Sequence, residues 1–240
     1  MMKKVKRFFL AGLLLVGATA VWAQDEIETT ISGDVVSSYI WRGQDLGDVS
    51  LQPTLGVSYK GLSLTAWGSV GLTDPLDTKE FDLTLSYTTG GLNIGITDYW
   101  FDAGLDPDAR YFKYDAHGTN HVFEANIGYD FGVASVQWFT NFAGNDGINK
   151  DGKRAYSSYA EVVVPFKLSA IDWTATVGAV PYATSFYNDW TSGFAVTNVS
   201  LKATKEIKVT DSFSIPVFAQ VVGNPCTQKA YLVFGFTLQP

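Results

Sequence analysis

The sequence contains 240 residues, with 17 basic and 24 acidic side chains, a net charge of −7 and an isoelectric point near 4.7. This acidic balance argues against a nucleic-acid partner, because nucleic acid is bound mainly through basic side chains. A single cysteine, Cys226, excludes an internal disulfide, and two histidines leave little room for a histidine-rich metal site, so we expect no cofactor.

Residues 1–23 have the features of a secretory signal peptide. Four basic residues within the first seven positions precede an apolar segment at 8–16, which is too short to span a bilayer, and Val-Trp-Ala at 21–23 fits a cleavage site. Cleavage there leaves a chain that begins at Gln24 with 13 basic and 24 acidic residues, a net charge of −11 (13 − 24). We therefore expect an exported protein with one mature domain at 24–240.

Alternation of apolar and polar residues predicts twelve β-strands after the leader and no amphipathic helix. The clearest example is FDLTLSYTTGGLNIGITDYW at 81–100, in which two alternating runs joined by Thr-Gly-Gly predict a hairpin. The predicted strands lie at 30–41, 51–60, 62–72, 81–88, 92–101, 121–130, 132–142, 156–166, 171–182, 194–206, 213–222 and 230–238.

The connections between these strands alternate in length. Short ones lie at 60–61, 89–91, 130–131, 167–170 and 207–212, and longer polar ones lie at 42–50, 73–80, 102–120, 143–155, 183–193 and 223–229. This alternation is typical of outer-membrane barrels, which have short periplasmic turns and longer extracellular loops. A soluble β-sandwich gives similar strand spacing but has no reason to sort its loops. We expect an all-β fold, a transmembrane antiparallel up-and-down barrel located in the outer membrane.

The charged residues inside the predicted strands share a face with Ser, Thr, Asn and Gly, while the opposite face is nearly free of charge. In a membrane barrel the polar face lines the lumen, because a charge on the lipid face at mid-bilayer costs about 2–4 kcal/mol for Arg or Lys. A soluble sandwich would instead carry many Lys and Glu residues on its outward face. The predicted lumen-lining charged residues are Asp34, Arg42, Asp82, Glu124, Glu161, Asp172 and Lys202.

Aromatic residues on the apolar face concentrate at the strand ends. Amphipathic rings prefer the two membrane–water interfaces, so this distribution favours a barrel with two aromatic girdles. The predicted interface aromatics are Tyr39, Trp41, Tyr59, Tyr87, Trp100, Tyr129, Phe166 and Trp173.

The segment SSYIWRGQDLGDVSLQPTLGVSY at 37–59 resembles the start of the TorF family of porin-like outer-membrane proteins. The resemblance rests on Tyr39, Trp41, Arg42 and Gly43, with further similarity at Gln52, Pro53, Trp67, Ser69, Glu80 and Asp82. It covers about the first 100 residues and implies a solute-conducting outer-membrane barrel without a defined substrate. The final residues Phe236-Thr-Leu-Gln-Pro240 depart from the terminal aromatic residue that many such barrels present to the barrel-assembly machinery, an expected partner during biogenesis.

Arg42 follows Trp41, so its side chain points into the lumen near the outer mouth if Trp41 faces lipid. It either forms a charged constriction that selects solutes, or pairs with lumen acids and fixes the first loop, and the second role is favoured. The inward acids outnumber Arg42 and Lys202, which predicts a mild preference for cations. The alternative is that these acids pair with loop lysines and only solvate the lumen.

Three functions remain open on the sequence alone. The first is a narrow passive pore for small hydrophilic solutes or ions, further closed by the 102–120 loop folding inward. The second is a non-conducting barrel in outer-membrane lipid that serves as a binding or structural surface protein. The third is a lipid-modifying enzyme using His117 or His121, which the sequence does not favour, because it lacks a nucleophile motif such as G-x-S-x-G. Cys226 and the calcium-loop-like segment 144–153 are interpreted as parts of outside loops without a site.

Overall fold

Twelve antiparallel strands form a closed barrel in the computed structural model, which describes residues 27–102, 109–116, 118–188, 193–211 and 213–240. The predicted signal peptide and His117 lie outside the described residues. The prediction of an all-β, twelve-stranded antiparallel barrel is confirmed. Within the described ranges, no helix is long and apolar enough to cross a membrane.

The barrel wall uses every strand except β2 (Tyr39–Trp41) and β3 (Gln44–Gly47), which pair only with each other. Strands adjacent in the wall are hydrogen-bonded in sequence order, and the first strand closes the barrel by pairing with both the fourth and the last. The strands are β1 (Glu28–Val36), β2 (Tyr39–Trp41), β3 (Gln44–Gly47), β4 (Ser50–Tyr59), β5 (Leu62–Gly71), β6 (Lys79–Thr89), β7 (Leu92–Asp102), β8 (His121–Asp130), β9 (Ser135–Gly144), β10 (Ser158–Leu168), β11 (Ile171–Val180), β12 (Ala195–Lys208), β13 (Ser214–Asn224) and β14 (Lys229–Leu238).

Polar and apolar side chains alternate between the two faces of the wall with a period of two residues, as the hairpin β6–β7 shows. Thr84 hydrogen-bonds Thr97 across the strands at 2.9 Å, and both side chains are buried on the inward face. Leu85, one position along, is 51% exposed and lies opposite Ile96, which is 50% exposed. Hydroxyl groups therefore line the interior while aliphatic side chains cover the outside, the reverse of a soluble β-protein.

Most of the predicted interface aromatics lie on the outward face. Of those beside the short turns, four are exposed and Trp173 is half-buried, stacking on Phe166 with ring centroids 6.2 Å apart. Trp100, at the other end of its strand, is partly covered by Tyr111. The exposed members of this set are Tyr59, Tyr87, Tyr129 and Phe166.

The prediction for Tyr39 and Trp41 is wrong. β1 ends at Val36. The next residue, Ser37, still pairs with β14, because its amide donates to the Phe234 carbonyl at 2.8 Å. The chain then turns inward, and Tyr39 and Trp41 are only 5% and 3% exposed. Alternation continues from β1 through residue 41, so the pattern gave no sign that the chain leaves the wall.

The long connections also differ from expectation in two places. The described part of the 102–120 connection does not fill the lumen; Tyr111 packs against Phe81 and Trp100, whose side chains lie on the outward face. The connection between β13 and β14 is a turn of four residues, 225–228, and not a long loop.

Two β-bulges interrupt the described barrel wall, and both lie in the half of the barrel that carries the long connections. One inserts Thr197 into β12 opposite the Gly178–Ala179 step, and the other inserts Phe142 into β9 opposite the Phe123–Glu124 step. A bulge bends a strand and redirects the neighbouring side chains. Here the redirected region is the one that surrounds the hairpin β2–β3.

Candidate functional site

A short hairpin inside the barrel fills the half of the lumen next to the long connections. We call residues 39–47 the plug; it consists of β2, the turn Arg42–Gly43 and β3. Its rings pack with inward side chains of the wall and with Tyr187 from the connection after β11, forming a buried cluster. The cluster contains Tyr39, Trp41, Tyr99, Val122, Tyr159, Val180, Tyr187 and Ala195.

Arg42 is fixed at the tip of the plug by the carboxylate of Glu124 on β8. Its Nη1 and Nη2 donate to Glu124 Oε2 and Oε1 at 2.5 and 2.9 Å, and the two side chains are 2% and 3% exposed. Tyr99 also donates to Glu124 Oε1 at 2.8 Å. A planar guanidinium that meets a carboxylate with two parallel hydrogen bonds has a defined orientation as well as a neutralised charge. Arg42 thus pairs with an inward carboxylate, as the favoured of its two predicted roles requires.

Four aromatic rings surround the same guanidinium. Its central carbon lies 4.1 Å from the centroid of Phe139 and 4.4 Å from that of Trp41, with Tyr159 at 4.8 Å and Tyr187 at 5.8 Å. The negative faces of such rings attract a desolvated cation. We call Trp41, Phe139, Tyr159, Tyr187 and Glu124 the arginine cage.

Tyr187 contributes a neutral hydroxyl to the cage. Its oxygen accepts a hydrogen bond from Arg42 Nη1. Burial raises the pKa of the Tyr187 hydroxyl above its ordinary value, although the charge of Arg42 opposes that rise. The phenol therefore stays protonated, and the compensating negative charge of the cage comes from Glu124.

The backbone of the plug fits against the bulge in β12. Gly43 has φ of +81°, and a Cβ built there would lie 1.8 Å from the carbonyl oxygen of Thr197, the inserted residue. Asn224 also holds the turn, donating to the Gly43 carbonyl at 3.0 Å. Only glycine satisfies both the left-handed backbone and this close approach.

Glycine also makes room for the cage in the wall. A Cβ on Gly178 would lie 1.8 Å from the hydroxyl oxygen of Tyr159, so the Tyr159 ring occupies the space that a side chain would take. Tyr159 has no exposed surface, and Asn198 donates to its hydroxyl at 3.1 Å.

Further carboxyl groups lie around the cage. Tyr39 donates to Glu80 at 2.7 Å, and Tyr159 donates to Glu161 at 3.1 Å. Asp82 is 8% exposed, and its Oδ1 has no hydrogen-bond partner among the described residues. With Glu124, four carboxyl groups lie on the inward face of the wall around the plug.

The other three predicted lumen residues, Asp34, Lys202 and Asp172, have contacts outside the arginine cage. Asp34 accepts a hydrogen bond from Thr237 at 2.6 Å, and the Lys202 ammonium lies 3.7 Å from the ring centroid of Phe218. Asp172 pairs with Lys167 at 2.9 Å in a largely exposed position at the rim. Of the seven predicted charged residues, the structure brings Arg42, Asp82, Glu124 and Glu161 together around the plug.

Sequence reasoning missed Phe139 and Tyr187 as parts of the site. Phe139 lies at an inward position of β9 near a bulge, and the alternation of side chains in the sequence of this strand already placed it on the inward face. Tyr187 lies in a connection without periodicity, so no local signal identified it. Cys226 is partly buried against the same cluster.

His121 belongs to a separate cluster on the outward face. Its ring has no exposed surface; Nδ1 lies 2.7 Å from Asp98 Oδ1, and Nε2 donates to the Tyr111 carbonyl at 2.5 Å. Tyr114 stacks on the ring at 4.2 Å, and burial together with a Tyr114 hydrogen bond raises the pKa of Tyr111 to about 12. The His121 Nδ1 thus pairs with the wall residue Asp98, while Nε2 fastens the 109–116 segment to the wall.

Metal binding has no candidate in the described parts of the chain. No group of three or more His, Cys, Asp or Glu side chains there is arranged to hold a metal ion.

Comparison with known proteins gives two structural likenesses, each at 12% sequence identity. The outer membrane protein OpdK from Pseudomonas aeruginosa matches over 86% of this chain with a TM-score of 0.39, and the match covers 61% of that protein, less than two thirds of its length. An outer membrane channel from Pseudomonas putida F1 matches over 87% of this chain and 94% of its own length, with a TM-score of 0.40. Likeness at this level carries no conclusion about function.

No protein-family model matches the sequence, and comparison with curated proteins finds no significant match. Membership of the TorF family stays a prediction.

Removing the charge of Glu124 tests the anchoring of the plug. The Glu124→Gln variant leaves the buried guanidinium without its counter-charge, so we expect the free energy of unfolding in detergent micelles to fall by about 3–5 kcal/mol. Combining it with Arg42→Met removes both charges and recovers much of that loss. The matched control is Asp172→Asn, which breaks an exposed pair and costs less than about 1 kcal/mol. Equal losses for Glu124→Gln and Asp172→Asn would contradict a buried, charge-dependent anchor.

Proposed function

We propose that the protein is an outer-membrane barrel that conducts small hydrophilic solutes or ions, with the plug as its gate. The apolar outward face and the hydroxyl-lined interior support a location in lipid, reached by export and by the barrel-assembly machinery. The observation that carries the proposal is that the plug is not part of the wall. It can leave the lumen without breaking a hydrogen bond between barrel strands.

The gate would depend on the contacts of one segment. Arg42 and its cage, the Tyr39–Glu80 hydrogen bond and the seat of Gly43 against Thr197 hold the plug in place. The turn also stores strain, because Arg42 adopts φ of +50°, a conformation that costs a non-glycine residue about 1–2 kcal/mol. A few such contacts give a closed state that a modest change in free energy can open.

A second candidate is a non-conducting barrel that acts as a binding or structural surface protein. The observation in its favour is that the plug and Tyr187 bury a full set of aromatic side chains within the lumen. An enzymatic function gains no support from His121, since a backbone carbonyl occupies its Nε2.

Unseating the plug distinguishes the first two candidates. A methyl group in Gly43→Ala overlaps the Thr197 carbonyl, so we expect larger or more frequent conductance steps in planar bilayers than in the wild type. Gly132→Ala is the matched control, because Gly132 has φ of +83° but nothing lies within 4 Å of the position that its Cβ would take. Silence from folded wild type and folded Gly43→Ala would favour the non-conducting barrel.

The lumen acids are expected to give a preference for cations. Replacing Asp34, Asp82 and Glu161 together by their amides removes three inward carboxyl groups and leaves Arg42 and Lys202, so the preference should weaken. The measurement is the reversal potential in a salt gradient, made in the Gly43→Ala background. An unchanged reversal potential would refute this role for the three acids.

Lipid contact with the outward face is tested by a charge at Leu85. We expect Leu85→Arg to lower the free energy of unfolding in lipid vesicles by about 2–4 kcal/mol, the cost of that charge near mid-bilayer. Thr65→Arg places the same side chain on the inward face of the neighbouring strand and should cost much less. Similar losses for the two variants would argue against lipid around the barrel.

A further inference from the structure

The arginine cage has the chemistry of a receptor for an organic cation, and a side chain of the same protein occupies it. Rings of Phe139 and Tyr159 from the wall and Tyr187 from a connection face the guanidinium, and Glu124 meets it with two hydrogen bonds. Stacking on aromatic faces combined with a bidentate carboxylate distinguishes a guanidinium from a spherical metal ion or an anion.

The fit of Arg42 within this cage is incomplete. Its Nη atoms are bonded, but its buried Nε has no hydrogen-bond partner in the part of the chain that the structure describes. Leaving a buried donor unsatisfied is unfavourable, and the left-handed backbone at Arg42 adds strain. A free guanidinium compound has neither constraint, because it can turn within the cage and has no backbone.

The charge around the cage also favours an exchange of cations. Glu80 and Glu161 lie within electrostatic range of Arg42, in addition to Glu124. When Arg42 leaves, these carboxyl groups lose their common counter-charge. An entering cation would restore it, whereas a neutral or anionic solute would not.

We propose that the arginine cage recognises small guanidinium-bearing solutes, and that such a solute displaces Arg42 and thereby releases the plug. This inference rests on the proposed channel function and adds to it a substrate class and a mechanism of opening. A tethered group competes with an effective concentration in the millimolar range. Displacement in the wild type therefore needs millimolar solute, while an emptied cage binds more tightly.

Calorimetric titration of the refolded Arg42→Ala protein in detergent tests recognition without requiring conductance. The probe is methylguanidinium, and methylurea is the neutral compound of similar shape. We expect methylguanidinium to bind at least about tenfold more tightly than methylurea, and Arg42→Ala/Glu124→Gln to lose that difference. Arg154→Ala is the control, because it removes another arginine, one that donates to the carbonyls of Gly144 and Ala116.

Equal binding of the two compounds to Arg42→Ala, or binding of the same strength to Arg154→Ala, would overturn recognition. If Arg42→Ala refolds only when methylguanidinium is present, that dependence supports the proposal as directly as a titration. If it refolds under neither condition, Arg42→Gln takes its place. If that variant binds methylguanidinium no more tightly than methylurea, recognition by the cage is overturned.

Wild-type protein in planar bilayers tests the release of the plug. Millimolar methylguanidinium should raise the open probability, and methylurea should not. If methylguanidinium binds to Arg42→Ala but does not change the open probability of a conducting wild type, release of the plug is overturned while recognition by the cage stands. If neither wild type nor Gly43→Ala conducts, the channel function fails, and the calorimetric comparison still decides whether the cage recognises guanidinium.

Discussion

The buried pairing of Arg42 with Glu124 is the interaction on which the arrangement of the lumen depends. An arginine removed from water needs a counter-charge and acceptors for its N–H groups. From β8, far from Arg42 in sequence, Glu124 supplies the counter-charge and accepts from both Nη atoms, and the surrounding rings add cation–π attraction. This requirement draws residues 39–47 away from the wall and into the barrel. The bulges in β9 and β12 then shape the wall around that segment.

The separation of apolar outward side chains from polar inward ones explains both the wall and the packing inside the barrel. With aliphatic side chains outside, polar side chains of the interior pair with one another across the strands, as Thr84 does with Thr97 and Asn93 with Asn126. Near the long connections, large rings replace these small groups, with the Gly178 position leaving space for Tyr159. The barrel is thus lined by small polar side chains at one end and filled by aromatic ones at the other.

The charged residue Asp98, on the outward face, is likewise paired with another polar group and covered. Asp98 lies among apolar neighbours, but His121 stands beside it and the 109–116 segment covers both. The long connection is therefore used on the outside of the barrel, where it shields a polar pair, while a shorter segment after β1 enters the lumen.

Local sequence determined the wall, because a β-strand alternates its side chains with a period of two and each hairpin joins neighbours in sequence. Leu85 and Thr84 could be assigned to opposite faces from the pattern alone, and the twelve strands followed from it. Tyr39 and Trp41 obey the same alternation, yet they lie in the lumen, since an aromatic side chain satisfies equally a lipid interface and a ring-lined interior. Their position was decided by tertiary contacts: Glu124, Phe139 and Tyr187 meet Arg42 only when the barrel closes. A local sequence pattern cannot predict this cage, because its residues come together only when the barrel closes.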